Sequence, residues 1–192
     1  MIRRAVVAFS LGLVVTACED SAALKASAPL PQLSSPARVP TAQARTYQEG
    51  GRDDGLEAQI QQRLKTAAVQ AFRGVSVSVW NGQAVLMGAV PRPVQRRQAE
   101  EIAATTPGVS ATINELVLAE DGALALFIPD TTRQARIRQE LNLPEAIIVR
   151  MVNNALFLQG NVADKAEAEA LRADAGEIDG VKWVVTHLDG GK

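Results

Sequence analysis

The stretch Asn81-Gly82-Gln83-Ala84-Val85-Leu86-Met87-Gly88-Ala89-Val90 returns 72 positions later as Asn153-Asn154-Ala155-Leu156-Phe157-Leu158-Gln159-Gly160-Asn161-Val162. Each copy opens on two residues that tolerate positive φ, as the centre of a two-residue hairpin turn requires. Each then runs through apolar residues and closes on Gly-x-Val. The same offset, without a gap, carries Pro107-Gly108-Val109 onto Asp179-Gly180-Val181 and Ile113 onto Val185. A repeat at one fixed period marks an internal duplication, so the chain is read as two copies of one small unit.

Outward from the first copy, Leu56, Ile60, Leu64 and Ala68 recur at helical spacing, whereas Val75, Val77 and Val79 alternate as a half-buried strand does. After the second strand, Pro93 suits the first turn of a helix. Val94, Ala99, Ile102 and Ala103 give that helix its apolar side, Gly108 breaks it, and Val109, Ala111, Ile113 and Leu116 point to a third strand. The second unit repeats the order. Ile137 and Leu141 lie in its first helix, strands fall near Ile147 to Val152 and Leu156 to Val162, and Asp164 with Glu167 resembles a capping box. That helix ends at Gly176 or Gly180, before a last strand in which Val181, Trp183 and Val185 alternate. The expected fold is α+β: two tandem units, each helix-strand-strand-helix-strand, with helices over one face of each sheet.

The boundaries read as 56–118 and 131–188, joined by a linker at 119–130. Units this small bury too little surface to stand alone, which favours their packing together. Gly88 and Gly160 are read as places where a strand end passes close to its covering helix. Trp80 and Trp183 are read as strand residues packed in the core or beside the hairpins.

The N-terminus carries a different signal. Met1-Ile2-Arg3-Arg4 is a short basic start and Ala5 to Val15 an uncharged apolar run, too short for a membrane-spanning helix of roughly 20 residues. Val15-Thr16-Ala17-Cys18 follows and resembles the lipobox of bacterial lipoproteins. Residues 1–17 are thus expected to be a cleaved signal peptide, with Cys18 the lipidated residue that anchors the mature chain. From 18 to 55, Pro29, Pro31, Pro36 and Pro40 among Ser, Ala, Gln and Thr predict a disordered tether. In enterobacteria-like sorting an aspartate directly after the cysteine favours the inner membrane. Glu19 stands there, which implies the outer membrane, with the chain facing the periplasm.

Removing residues 1–17 takes two of the 20 basic residues, leaving 18 against 21 acidic ones, a net charge that disfavours nucleic-acid binding. Cys18 is the sole cysteine, so neither a disulfide nor a thiolate metal cluster can form within the chain. The single histidine, His187, has no second histidine to join it. Glu100-Glu101 and the pair Glu167 and Glu169 sit in alanine-rich helices and read as solvated faces. With no phosphate-cradling glycine loop or nucleophile elbow, the expectation is a non-enzymatic binding or scaffolding protein without cofactor or metal. Arg92, Arg96 and Arg97 in one helix, and Arg133, Arg136 and Arg138 in another, are the basic clusters suited to phosphate. The first trio is the candidate for phospholipid headgroups, because the helix Lys165 to Asp174 is acidic and lacks an aromatic residue that could insert.

The hairpin with its Gly-x-Val close, the helix after it and the Gly-Val opening of the last strand (Gly108-Val109, Gly180-Val181) resemble the BON domain over roughly Leu56 to Leu188. With the lipobox in front, the whole is similar to two-BON lipoproteins of the bacterial envelope. That resemblance implies a part in outer-membrane integrity, and binding of anionic phospholipid as in some of those proteins. The alternative is a tethered adaptor that meets an envelope protein without recognising lipid. Replacing Cys18 with alanine is expected to abolish incorporation of labelled palmitate; label persisting on the mature Cys18→Ala chain would overturn the anchor assignment.

Overall fold

The structure, a computed structural model, describes residues 45–190. The signal peptide, Cys18 and the rest of the expected tether up to residue 44 lie outside the described residues. The first unit runs α1 (Tyr47–Ala68), β1 (Val75–Trp80), β2 (Gln83–Val90), α2 (Pro93–Ala104), β3 (Ala111–Asn114) and β4 (Val117–Leu118). The second runs α3 (Thr131–Glu140), β5 (Ile147–Val152), β6 (Ala155–Val162), α4 (Lys165–Gly176) and β7 (Trp183–Gly190). No helix among the described residues is long and apolar enough to cross a membrane.

The duplication holds to the residue. In β1–β2, antiparallel, Val75 faces Gly88; in β5–β6, also antiparallel, Ile147 faces Gly160, each partner shifted by the same offset. The third strand runs parallel to the middle one in both units, with Gln83 opposite Ala111 and Ala155 opposite Trp183. Asn81, Gly82, Asn153 and Asn154 all have positive φ, the left-handed pair that lets a two-residue turn follow the strands' right-handed twist. The two third strands differ in continuity: β7 is unbroken, whereas the first unit's strand is interrupted between Asn114 and Val117 and resumes beside Ala89 and Val90.

Alternation along the strands sorts the side chains into layers. Val75, Val77 and Val79 of β1 with Ala84, Leu86 and Val90 of β2 face α1 and α2, and meet Leu56, Ile60, Leu64, Ala99 and Ala103. Ile147, Val149, Met151, Leu156 and Leu158 face α3 and α4, and meet Ile137, Leu171 and Ala175. The opposite faces pack on each other: Val85 and Met87 join Val152 and Phe157, with Ile113 and Val185 at their flank. The result is four layers, helices outside and two sheets inside. Polar groups set the register of this contact. Ser78 Oγ donates to Gln159 Oε1 at 2.6 Å, Gln159 Nε2 donates to the Gln83 carbonyl at 3.0 Å and Trp80 Nε1 donates to Asn161 Oδ1 at 3.1 Å.

Four expectations need correction. The tether does not extend to residue 55, because α1 begins at Tyr47, started by Thr46 and Glu49 in a reciprocal capping box. The segment 119–130 is no free linker: Asp121–Phe127 coils into a 3-10 turn whose Leu124 is fully buried, and Pro129 bridges Val152. Trp183 is not packed in the core; it is 61% exposed at the start of an edge strand, while Trp80 is buried. Gly88 and Gly160 are close to backbone rather than to a covering helix. The amide of Ala89 donates to the Gly74 carbonyl and that of Asn161 to the Ala146 carbonyl, so a Cβ on either glycine would collide with that oxygen.

This last contact predicts asymmetry between glycines. Gly88→Ala and Gly160→Ala should each lose more than about 2 kcal/mol in urea unfolding, the range of forced backbone strain. Gly176→Ala, which meets open space at the end of α4, should be neutral or gain up to about 1 kcal/mol. Equal effects at the three positions would contradict the account.

Candidate functional site

The polar and charged side chains sort into those spent on packing and those left free. Asp53, 3% exposed, accepts from the amides of Asn81 and Gly82 at 2.9 and 3.0 Å and from Arg45 Nη1 at 2.9 Å. It ties the first turns of α1 to the β1–β2 hairpin, and the Arg45 guanidinium lies over the Trp80 ring, 4.4 Å from its centroid. Asp53 lay inside the segment read as tether; Thr46-x-x-Glu49 was the sequence signal that places it in a helix.

Among the described residues an ion pair and a histidine–carboxylate contact cross between the units. Arg150 on β5 reaches Glu57 on α1 at 3.2 Å, at the edge where β1 and β5 lie. His187 Nε2 on β7 stands 3.2 Å from Glu115 Oε1, without the alignment of a hydrogen bond. Glu115 and His187 are themselves equivalent positions of the repeat. Equivalent residues in contact are the mark of an isologous interface, so the two copies pack about an approximate two-fold axis. Burial raises the Glu57 carboxyl above its ordinary 4.5, and the neighbouring Arg150 charge offsets only part of that rise.

The basic clusters separate. Arg133 is held by Asn154 Oδ1 at 3.0 Å, and Arg138 donates to the carbonyls of Pro144 and Ile147 at 2.9 and 2.6 Å. Only Arg136 of that trio is left exposed and without a side-chain partner among the described residues. In the other trio Arg96 Nη2 donates to the Asn114 carbonyl at 3.0 Å, which fastens α2 to β3. Arg92 and Arg97 are exposed, with no side-chain hydrogen bond or ion pair among the described residues, and Val94 is exposed between them. The three arginines thus differ in their surroundings: Arg96 is partly spent on β3, while two remain free among the described residues at the start of α2, whose N-cap position, Arg92, makes no side-chain cap.

Sequence reasoning did not find the apolar mouth between the sheets. A cavity of about 360 Å³ opens where β2, β4, β6 and β7 converge, walled by Val117, Phe127, Phe157, Trp183 and Val185 with Glu115 beside them. A wider polar cleft of about 620 Å³ at the opposite strand edge holds Arg45, Glu57, Arg138, Glu145 and Arg150. Among the described residues no three His, Cys, Asp or Glu side chains gather as metal ligands.

The architecture is a duplicated four-layer α+β sandwich of two BON-sized units. The chain belongs to the BON domain family, whose model matches residues 52–120 and 129–191. It is similar to the outer membrane lipoprotein DolP of Haemophilus influenzae, 27% identical over 139 residues that cover 69% of this chain and 72% of that protein. Among solved structures, the C-terminal domain of CdsD, the structural protein of the type III secretion system of Chlamydia trachomatis, aligns at 15% identity. That alignment covers 73% of this chain and 67% of the other at a TM-score of 0.30. A second CdsD structure aligns at 12% identity over 72% and 94%, at a TM-score of 0.29.

The raised Glu57 carboxyl gives a signed pH dependence. The folded state holds that proton to higher pH than the unfolded chain does. Above 4.5 the folded state therefore binds more protons, and stability falls as pH rises through the window. Between about pH 4 and about pH 7 the stability of Glu57→Gln relative to the native protein should climb; parallel urea-unfolding profiles would refute this.

Proposed function

We propose that the protein is a non-enzymatic lipoprotein of the outer membrane, held by an acyl chain on Cys18, facing the periplasm and supporting envelope integrity. The lipobox-like run Val15-Thr16-Ala17-Cys18 and the likeness to an outer membrane lipoprotein support the anchor and the location. The paired BON units are the working part, and the polar side chains of their interior serve packing rather than chemistry.

The contact with the membrane is made by the start of α2. The observation that carries this is a pair of guanidinium groups, Arg92 and Arg97, without a side-chain partner among the described residues and flanking exposed Val94. A guanidinium fork fits a phosphate diester, and each basic residue beside an anionic surface contributes about 1 kcal/mol. The lipid anchor keeps the units near the bilayer, so even a weak contact gains from effective concentration. The apolar mouth favours a second activity, that of an adaptor for an envelope protein.

The headgroup contact should require anionic lipid and fade with salt, since exposed charges are screened within about 8–10 Å at ordinary ionic strength. In liposome flotation with and without phosphatidylglycerol, the unlipidated chain should float only with the anionic vesicles. Arg92→Gln with Arg97→Gln should abolish flotation, and Arg96→Gln alone should weaken it less. Equal flotation with both vesicle types would remove lipid recognition.

A further inference from the structure

The repeat builds the same parallel outer strand twice, and the first copy is closed against further pairing while the second is open. In the first unit the Glu115 amide turns inward and donates to the Leu86 carbonyl of β2, so the neighbouring Asn114 carbonyl and Leu116 amide turn outward. Both are capped. Arg96 Nη2 donates to the Asn114 carbonyl at 3.0 Å, and the Leu116 amide donates to Asn114 Oδ1 at 3.2 Å. The Asn114 side chain is itself fixed, its Nδ2 donating to the Arg96 carbonyl at 3.1 Å and to Glu100 Oε2 at 2.9 Å. Moved by the repeat offset of 72, Arg96 becomes Ala168, Asn114 becomes Thr186 and Glu100 becomes Arg172. The second unit has therefore lost the whole capping apparatus. Its outer strand β7 runs unbroken for eight residues, Trp183–Gly190. By the same alternation Val184, Thr186 and Leu188 turn their N–H and C=O groups away from β6, and among the described residues nothing bonds to them.

We infer that β7 pairs edge to edge with β7 of a second copy of this chain, antiparallel about a two-fold axis, joining two three-stranded sheets into one of six strands. A row of unpaired N–H and C=O groups is matched by another extended backbone. Edges that must stay single carry proline, lysine, a break or a cap; the first unit's strand has the break and the cap, and β7 has none of these devices. Charge selects the second copy and its direction. Lys182 and Asp189 are exposed, make no ion pair among the described residues, and stand at opposite ends of the strand with no lysine, arginine or carboxylate between them. Antiparallel pairing brings the Lys182 end of each copy to the Asp189 end of the other, twice over, whereas parallel pairing would set like charges side by side. The β-branched run Val184, Val185 and Thr186 packs well across a strand pair. Trp183, 61% exposed beside Lys182, gains cover from the added strand. An isologous contact of this kind closes at two copies and leaves β7 no further edge. The inference is independent of the headgroup contact proposed above.

The test uses the full mature chain carrying Cys18→Ser, so that no acyl chain drives association. Sedimentation velocity between about 1 μM and about 1 mM should show a reversible monomer–dimer equilibrium. Amide hydrogen exchange at Val184, Thr186 and Leu188 should slow as the dimer forms, while the capped Leu116 amide should not change. Lys182→Glu and Asp189→Lys should each weaken association roughly three- to tenfold. Combined in one chain they exchange the two ends and should restore it, an outcome that antiparallel self-pairing requires. Thr186→Pro, which removes an outward N–H and leaves the ladder to β6 intact, should abolish the dimer. Should Thr186→Pro fail to fold, the charge exchange decides the matter alone. A chain that stays monomeric throughout, or a dimer in which the three edge amides gain no protection, would overturn the inference. So would a dimer indifferent to the single charge changes, or one that the combined exchange does not restore.

Discussion

Each sheet, four-stranded in the first unit and three-stranded in the second, has helices for only one of its faces, and the other face is apolar. That uncovered face is the constraint on which the rest of the structure depends. Val85 and Met87 on one sheet, and Val152 and Phe157 on the other, cannot be left in water, and a unit of this size buries too little surface to tolerate the exposure. Duplication answers the constraint directly, since the second copy brings a complementary face of the same geometry. The helix-covered cores are private to each unit, while the layer between the sheets is shared.

A purely apolar contact between two flat faces would tolerate several registers. The Ser78–Gln159 and Trp80–Asn161 hydrogen bonds remove that freedom, because a slipped register would leave buried donors and acceptors unpaired. Those four residues lie at positions where the repeat has diverged: the offset carries Ser78 to Arg150, Trp80 to Val152, Gln159 to Met87 and Asn161 to Ala89. Divergence thus made one end of the interface polar and specific, while at the other Val152 is covered by the segment that carries Leu124, Phe127 and Pro129.

The charged residues follow a similar division of labour. Asp53, Arg45, Arg96 and Arg138 complete backbone groups or one another, and Arg133 holds the Asn154 side chain, so removing them would disturb the fold before any binding surface. Among the described residues Arg92 and Arg97 have no such employment. A cluster of arginines in sequence is therefore a poor guide to a binding site until the carbonyls within their reach are known; in the second cluster only Arg136 remains unused among the described residues. The free arginines and the apolar mouth lie on separate surfaces, one cationic and on a helix, the other apolar and between sheets.

The sequence by itself determined the repeat, the order of elements and both hairpins, because those rest on local rules. Strand alternation, helical spacing and the positive φ of Asn81-Gly82 and Asn153-Asn154 are written in neighbouring residues. The family was legible for the same reason, since its glycines and valines answer to backbone geometry. Only the tertiary structure decided that residues 47–55 are helical, because that stretch is held by Asp53 grasping a hairpin 28 residues away. Tertiary structure also decided that Trp80 is a plug while Trp183 stands in solvent, although both read as strand tryptophans. Which side of an edge strand is covered depends on where the other copy sits, and that is set by the sum of contacts across the interface rather than by any local pattern.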